Sequence, residues 1–524
     1  MGAGPGDSEP RPTGICRPAC ESDPARVEDQ LTDLELWPEE SLEAIHDASL
    51  QLLERAGLRV LSGAVRAVLL AAGCLPGAGD RILVPRRIVE EALGTCPASF
   101  TMVARDPGRD LLMDATPGPI YVHNMGGAVD VVDPRTGLGH RATFRDQVEF
   151  SRLLHHMPNV DCVIAVTLPH DVPDELEPLY SFLAVASETD KCVGGMGISF
   201  PFQERYLREM SIALTGADGS GGRYPSDVAF SPVSPLTLGD DVNDALVQAA
   251  RSRAVSIGIL PAPAAGTTAP GSLAGALAQQ NAEVLGGVVL VQAVAPGVPV
   301  SYAPRLSAID PRTGRASAGT PAMALASAAA VLLARRYGLA CDCFGPTSDG
   351  RVADAQYGWE HAFNTHLVMQ ARPRFVSGVG DMQVGLASAL EGVVMDDEIV
   401  GIARDALRPR SWDAGALDID EMVAGALSGS FLSSKATRRH LRSDYRRSTL
   451  GFGGGREEWE ATGRASVVDE ARERVQEALA HEPVGLPEDI LSEMCRLIDA
   501  CAREVGLAEW PDPRRLLEQT AGVA

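Results

Sequence analysis

The segment Gly266–Tyr302, GTTAPGSLAGALAQQNAEVLGGVVLVQAVAPGVPVSY, constrains the fold of this chain more than any other stretch. A turn rich in Gly, Thr and Pro runs into a helix over Ser272–Ala295 that is apolar almost all round, as only a buried helix is. Pro296-Gly297 then breaks the chain, and Val298–Tyr302 reads as a core strand. Loop, buried helix and core strand together make one unit of a parallel α/β fold. Gln279, Gln280, Asn281 and Glu283 interrupt the apolar helix, with Gln279 and Glu283 one turn apart on one face. A carboxylate placed there is either satisfied structurally or belongs to a site.

The same alternation runs through the middle of the chain. Strands are expected at Cys162–Leu168, Cys192–Gly194, Val228–Ser231, Ser256–Leu260, Val298–Tyr302, Ala340–Cys343 and Phe375–Gly378. Helices are expected between them, at Leu176–Ser187, Gln203–Leu214, Asp240–Arg253, Ser272–Ala295, Pro321–Tyr337 and Asp354–Gln370. With Ala128–Val132, or a segment misread as a loop, as the eighth strand, the pattern predicts an α/β fold of the (β/α)8 TIM barrel type, with a doubly wound sheet as runner-up. Residues 1–30, rich in Pro, Gly and charge, are expected as a disordered tail, and 31–135 as an N-terminal α+β leader. The barrel is placed at 136–410. Residues 411–524, with amphipathic helices near 467–480 and 487–505, form a helical C-terminal appendage. Gly451-Phe-Gly-Gly-Gly455 lacks the Lys-Ser/Thr of a phosphate loop and is expected as a hinge or packing site.

A net charge of −24 disfavours nucleic acid as a partner. Ten scattered Cys fit reduced thiols in a cytoplasmic protein, and no stretch is apolar for long enough to span a membrane. Cys16 and Cys20 have no second ligand pair near them in sequence.

In a parallel barrel the chemistry lies where the strands end. The densest such stretch is Cys341–His366, which holds Asp349, Asp354, Gln356, Tyr357, Trp359, Glu360, His361 and His366. Gln356 and Glu360 stand one helical turn apart. Cys341 and Cys343, which share a face of a strand, with His361 or His366 would make a zinc thiolate site; buried reduced cysteines are the other reading. No metal is assigned. The loop after Tyr121, His123-Asn124-Met125-Gly126-Gly127, either covers the barrel mouth or is a simple turn.

Several blocks resemble the trimethylamine methyltransferase family: IHDASLQLLERAG, VVDPRTGLGHRATFRD, FSPVSPL, GTTAPGSLAGALAQQNAEVL, TSDGRVADAQYGWEHAF and VVMDDEI, in order over residues 35–410. The resemblance implies a (β/α)8 barrel that moves a methyl group from a methylated amine to the cobalt of a corrinoid (cobalamin) held by a separate protein, with no tightly bound cofactor of its own. Some members carry pyrrolysine in the loop that here reads Asp342-Cys-Phe-Gly-Pro346; its absence places the chain with the non-pyrrolysine branch, which includes glycine betaine methyltransferases. On that reading Tyr121, Phe344, Tyr357 and Trp359 cage a quaternary, betaine-like ammonium, beside Gln356. Glu283, Asp349 and Glu360 set the charge of the site, and His123, Asn124 and His366 receive a substrate carboxylate. Such a protein is expected to be a cytoplasmic homo-oligomer that works with a corrinoid protein. The alternatives are a zinc-dependent methyltransferase or hydrolase on the same barrel, and a barrel that binds methylated amines without turnover.

Overall fold

The computed structural model describes residues 37–239, 241–410 and 417–521; the expected tail at 1–30, with Cys16 and Cys20, lies outside them. The first helix, α1 (Glu39–Arg55), opens with Glu39 and Glu40 at its positive end and buries Leu50 and Leu53. An antiparallel hairpin of β1 (Ser99–Met102) and β2 (Leu111–Asp114) follows.

Parallel pairing then begins with β3 (Tyr121–Asn124), whose His123 pairs with Cys162 of β4 (Cys162–Val163). Next to β4 lies β5 (Cys192–Val193), and Gly194–Gly195 separates β5 from β6 (Met196–Gly197) in one run of chain. From β6 the pairing passes to β7 (Asp227–Phe230), β8 (Ser256–Ile259) and β9 (Val300–Tyr302). A bridge from Tyr302 to Cys341 leads to β10 (Asp342–Phe344), which pairs with β11 (Phe375–Val379), and β11 pairs back onto β3. A helix follows each strand: α2 (Phe144–His156), α3 (Glu177–Glu188), α4 (Pro201–Thr215), α5 (Asp241–Ser252), α6 (Leu273–Val294), α7 (Pro321–Arg336), α8 (Ala355–Gln370) and α9 (Leu390–Ala406). Each touches the next in chain order, and α9 touches α2. Among the described residues, no helix is long and apolar enough to cross a membrane.

Tyr121–Asn124, inside the segment expected as leader, is a parallel strand that the alternation did not predict. Ala128–Val132 is corrected: Asp130–Val132 belongs to a separate sheet with Gly139–Arg141 and Ala387–Ser388. The cause is the Asp133-Pro-Arg-Thr-Gly137 turn, closed by Gly137 N–H donating to the Asp133 carbonyl at 2.8 Å, which sends the chain back antiparallel.

Helix α6 is buried along nearly its whole length because α1 and the helices Gly63–Ala71 and Arg86–Thr95 cover its outer side. Two glycines allow the close fit. A Cβ on Gly286 would stand 2.8 Å from Leu58, and one on Gly287 would stand 2.6 Å from Ile259. The amides are paired internally: Asn281 accepts from Tyr302 and donates to Ser49 and Tyr337, each at 2.9 Å. In the C-terminal part, α10 (Val467–Leu479) packs on α9 and α2, and α11 (Glu488–Glu504) on α4 and α3. Gly451–Gly455 is an exposed loop leading into a short helix, Arg456–Ala461.

The opposite, amino-terminal ends of the strands are covered by the β1–β2 hairpin. Phe100, Met102, Leu111 and Met113 pack with Cys162, Cys192 and Phe375, which stand at strand starts, and with Tyr224 and Ala340 just before strands. Met102 and Met113 also reach the cavity described next.

Candidate active site

A cavity of about 350 Å³ opens among the strands and the loops at their carboxyl ends. It exists because three neighbouring strands present small residues at one level. Ala229, Gly258 and Ser301 stand side by side in register and all border the space. Phe344, Ser377 and His123 share another register row that borders the cavity, and there two of the three side chains are large.

Five acidic or basic side chains border the cavity: His123, Glu177, Asp227, Arg305 and Asp342. Three are tied together. Arg305 donates to Asp342 Oδ2 at 2.7 Å, to the Asp342 carbonyl at 2.9 Å and to the Pro304 carbonyl at 3.1 Å. His123 Nε2 stands 3.1 Å from Asp342 Oδ1, and its Nδ1 stands 2.8 Å from the Asn124 carbonyl. Burial works against an ionised Asp342, but Arg305 and His123 outweigh it and hold the carboxyl well below the usual carboxylate range. The Arg305 guanidinium also lies 4.8 Å from the centre of the Phe344 ring.

The remaining two carboxylates have no ion-pair partner among the described residues. Asp227 opens β7, and its Oδ1 accepts the Gly195 N–H at 2.6 Å. The diglycine break makes room for it, since a Cβ on Gly194 would stand 2.3 Å from that oxygen. Burial raises the Asp227 pKa, and the negative charge of Asp342 adds to the rise. Glu177 starts α3 and accepts from Ser181 Oγ at 2.6 Å; burial pushes its pKa up to about 7. The other oxygen of each accepts no hydrogen bond from a described residue.

Of the residues expected from sequence, the structure brings His123 and Phe344 to the cavity. The others are placed elsewhere. Asn124 is fully buried and bridges β3 to β4, accepting from Ile164 N–H at 3.0 Å and donating to the Met125 and Ile164 carbonyls. Tyr121 sits at the amino end of β3, its hydroxyl accepting the Leu112 N–H at 3.3 Å and its ring 5.9 Å from the Arg374 guanidinium. Glu283 anchors the loop after β7 by accepting from Ser234 and Leu236 at 2.8 Å and from Gln279 at 3.1 Å.

The dense stretch around α8 forms a network of its own. Asp349 accepts from Ser317 and from the N–H groups of Ala318 and Gly319. Glu360 accepts from Ser348 at 2.7 Å, from Asp349 N–H at 2.9 Å and from Gln356 at 2.9 Å. Tyr357 is buried and stacked on His361, with ring centres 3.9 Å apart. Trp359 is 62% exposed, on the outward face of α8. His366 lies beside Gln370, their Nε2 atoms 3.0 Å apart. A cage built on Tyr357 and Trp359 is thus corrected, because the helical period turns one into the core and the other to solvent. Cys341 and Cys343 are buried thiols, and His361 Nδ1 stands 2.6 Å from Asp396. Among the described residues, no three His, Cys, Asp or Glu side chains come together in an arrangement that could hold a metal ion.

Sequence reasoning missed Asp227 because it looked for chemistry where the strands end, and Asp227 stands at the amino end of β7. The signal was the diglycine in Lys191-Cys-Val-Gly-Gly-Met196, a break inside a core strand that marks a close approach. Glu177 carried no comparable mark.

The geometry defines an α/β protein with a small, charged cavity lined by parallel strands and by the loops at their carboxyl ends. The family model for trimethylamine methyltransferase (MTTB) matches residues 11–506. The glycine betaine methyltransferase of Desulfitobacterium hafniense (strain Y51) is 28% identical over 89% of this chain and 97% of its own length. The trimethylamine methyltransferase MttB of Desulfitobacterium hafniense (strain DSM 10664 / DCB-2) is 25% identical over 90% and 95%, respectively. The crystal structure of the Methanosarcina barkeri monomethylamine methyltransferase (MtmB) aligns with a TM-score of 0.46 at 13% identity, over 94% of each chain. The chain belongs to the trimethylamine methyltransferase family and is a methyltransferase.

Proposed function

We propose that this methyltransferase moves a methyl group from a quaternary amine bound in the cavity to Co(I) of a corrinoid carried by a separate protein, and that its parallel strands form a (β/α)8 barrel. The observation that carries the reading is the charge of the cavity. Its one guanidinium is already paired, while two further carboxylates face the open space. That environment favours an organic cation of modest size.

The chemistry asks little acid–base work of the protein. As the cobalt nucleophile takes the methyl carbon, the C–N bonding pair stays on nitrogen and the amine leaves neutral, so no proton is required. The chain holds the cation, aims one methyl group toward the mouth and keeps water away. Phe344 offers an aromatic surface beside the Arg305–Asp342 pair, which fixes that wall of the cavity.

The test is methyl transfer to Co(I) cobalamin or a corrinoid protein, across tetramethylammonium, choline, carnitine, glycine betaine, proline betaine and trimethylamine. Methyl-cobalt absorbance is expected to appear with a quaternary amine. Silence across the panel with a competent acceptor would sink the proposal.

A further inference from the structure

The relatives include a methyltransferase named for glycine betaine, a zwitterion, and the resemblance in sequence led to the expectation of a betaine-like substrate. A bound zwitterion needs two opposite receptors, one for the ammonium and one for the carboxylate. Carboxylates are received by unpaired Arg or Lys, or by free N–H groups at helix starts. Among the described residues, the cavity offers one guanidinium, Arg305, and it is already spent on Asp342 and two carbonyls. The His123 Nε2 that could reach a ligand is taken by the same Asp342. The one helix that starts at the cavity, α3, places its own Glu177 there. An entering carboxylate would therefore meet three others, at Asp342, Asp227 and Glu177.

Resting on the proposed function above, we infer that Asp227 and Glu177 select a methylated amine with net positive charge and no carboxylate group. Each keeps one oxygen without a hydrogen bond, and each borders the cavity. Burial without a counter-ion makes both reluctant to ionise, which is the cost that a bound cation relieves. The fold goes out of its way to seat Asp227, since the Gly194–Gly195 break supplies both the space and the N–H that hold it. Asp227 and Glu177 act here as specificity residues; neither takes part in bond breaking.

Isothermal titration of the full chain with tetramethylammonium, choline and glycine betaine, without any corrinoid, reads this directly. Both simple cations are expected to bind at least about tenfold more tightly than glycine betaine. Asp227→Asn and Glu177→Gln are each expected to weaken cation binding by about tenfold or more and to shrink the preference over betaine. Thermal melting accompanies both variants, and circular dichroism checks their fold. Narrowed preference is the reading that mere misfolding does not give. Glycine betaine binding as tightly as choline, or an unchanged ratio in both variants, overturns the inference. Methyl transfer from betaine in the separate assay would then leave the proposed function standing. Tight cation binding without transfer from any amine would do the reverse.

Discussion

The cavity and the network around α8 hold the same kinds of residue, yet they do opposite things. Around α8, Asp349 and Glu360 are each met by three donors, drawn from the adjoining 317–319 and 348–349 segments and from Gln356. In the cavity, Asp227 accepts the Gly195 N–H and Glu177 the Ser181 hydroxyl, no second described residue donates to either, and both border the open space. Perturbed protonation does not separate the two regions. Asp381, which accepts the Ser348 and Gly385 N–H groups, is pushed up to about 7 by burial, as Glu177 is. What separates them is whether the donors are already present. A carboxylate answered by its own backbone holds a loop; one left unanswered beside a cavity waits for a ligand.

The contrast can be broken most forcefully at Gly258. A Cβ there fits, with its nearest neighbours at 3.8 Å, but a leucine would fill the space that Ala229, Gly258 and Ser301 leave. Gly258→Leu is expected to lower kcat/KM by about 100-fold or more with little loss of fold, since the added atoms enter a void rather than a packed core. Unimpaired turnover, measured by methyl-cobalt formation, would place the site elsewhere. Next in size is Glu360→Gln, which leaves Ser348 and Asp349 N–H without their charged acceptor. Stability should fall by about 1–3 kcal/mol, seen in chemical denaturation, while kcat per folded molecule stays within about threefold. Lost turnover at unchanged stability would return the site to α8.

The smallest expected effect is a pH dependence. A carboxyl whose folded pKa is raised contributes stability below its unfolded value and loses it as pH climbs through the folded one, so ionising Glu177 opposes folding up to about pH 7. A bound cation favours the ionised form. Tetramethylammonium affinity should therefore rise between pH 6 and 8, by up to about tenfold, and level off above. The groups facing Glu177 are Ser181 and Asp174 near its own helix, with His123, Asp227, Arg305 and Asp342 around the cavity. Titrations in the Glu177→Gln variant should lose part of the slope; an identical profile would assign it to another group.

Much of the architecture was legible because helix and strand periods are long-range patterns. All seven strands expected from the alternation overlap observed strands, and Ser272 and Asp354 mark helix starts as caps, accepting from Gly275 and Gln356. Tyr121–Asn124 was not found: four residues between Pro119 and Gly126 look like a loop until a partner strand is present. The site was less legible for a related reason. Counting carboxylates and aromatics favoured Cys341–His366, where local hydrogen bonds satisfy nearly everything. Asp227 is isolated in sequence, and its meaning comes from neighbours far along the chain, at Gly194–Gly195 and Asp342, while Glu177 sits in the acidic run Asp174–Glu177 that reads as a solvated helix start.

The hairpin that covers the amino-terminal ends of the strands has a kinetic consequence. Met102 and Met113 line the chamber from that end, so on the proposed reading amine and acceptor share the approach through the carboxyl-end loops. Donor and methyl acceptor must then queue: the amine enters first, the acceptor closes over it, and the demethylated amine stays locked in until the acceptor departs. Excess acceptor should slow the reaction by blocking the entrance, so inhibition at high acceptor concentration, relieved by more amine, is the signature of this shared approach.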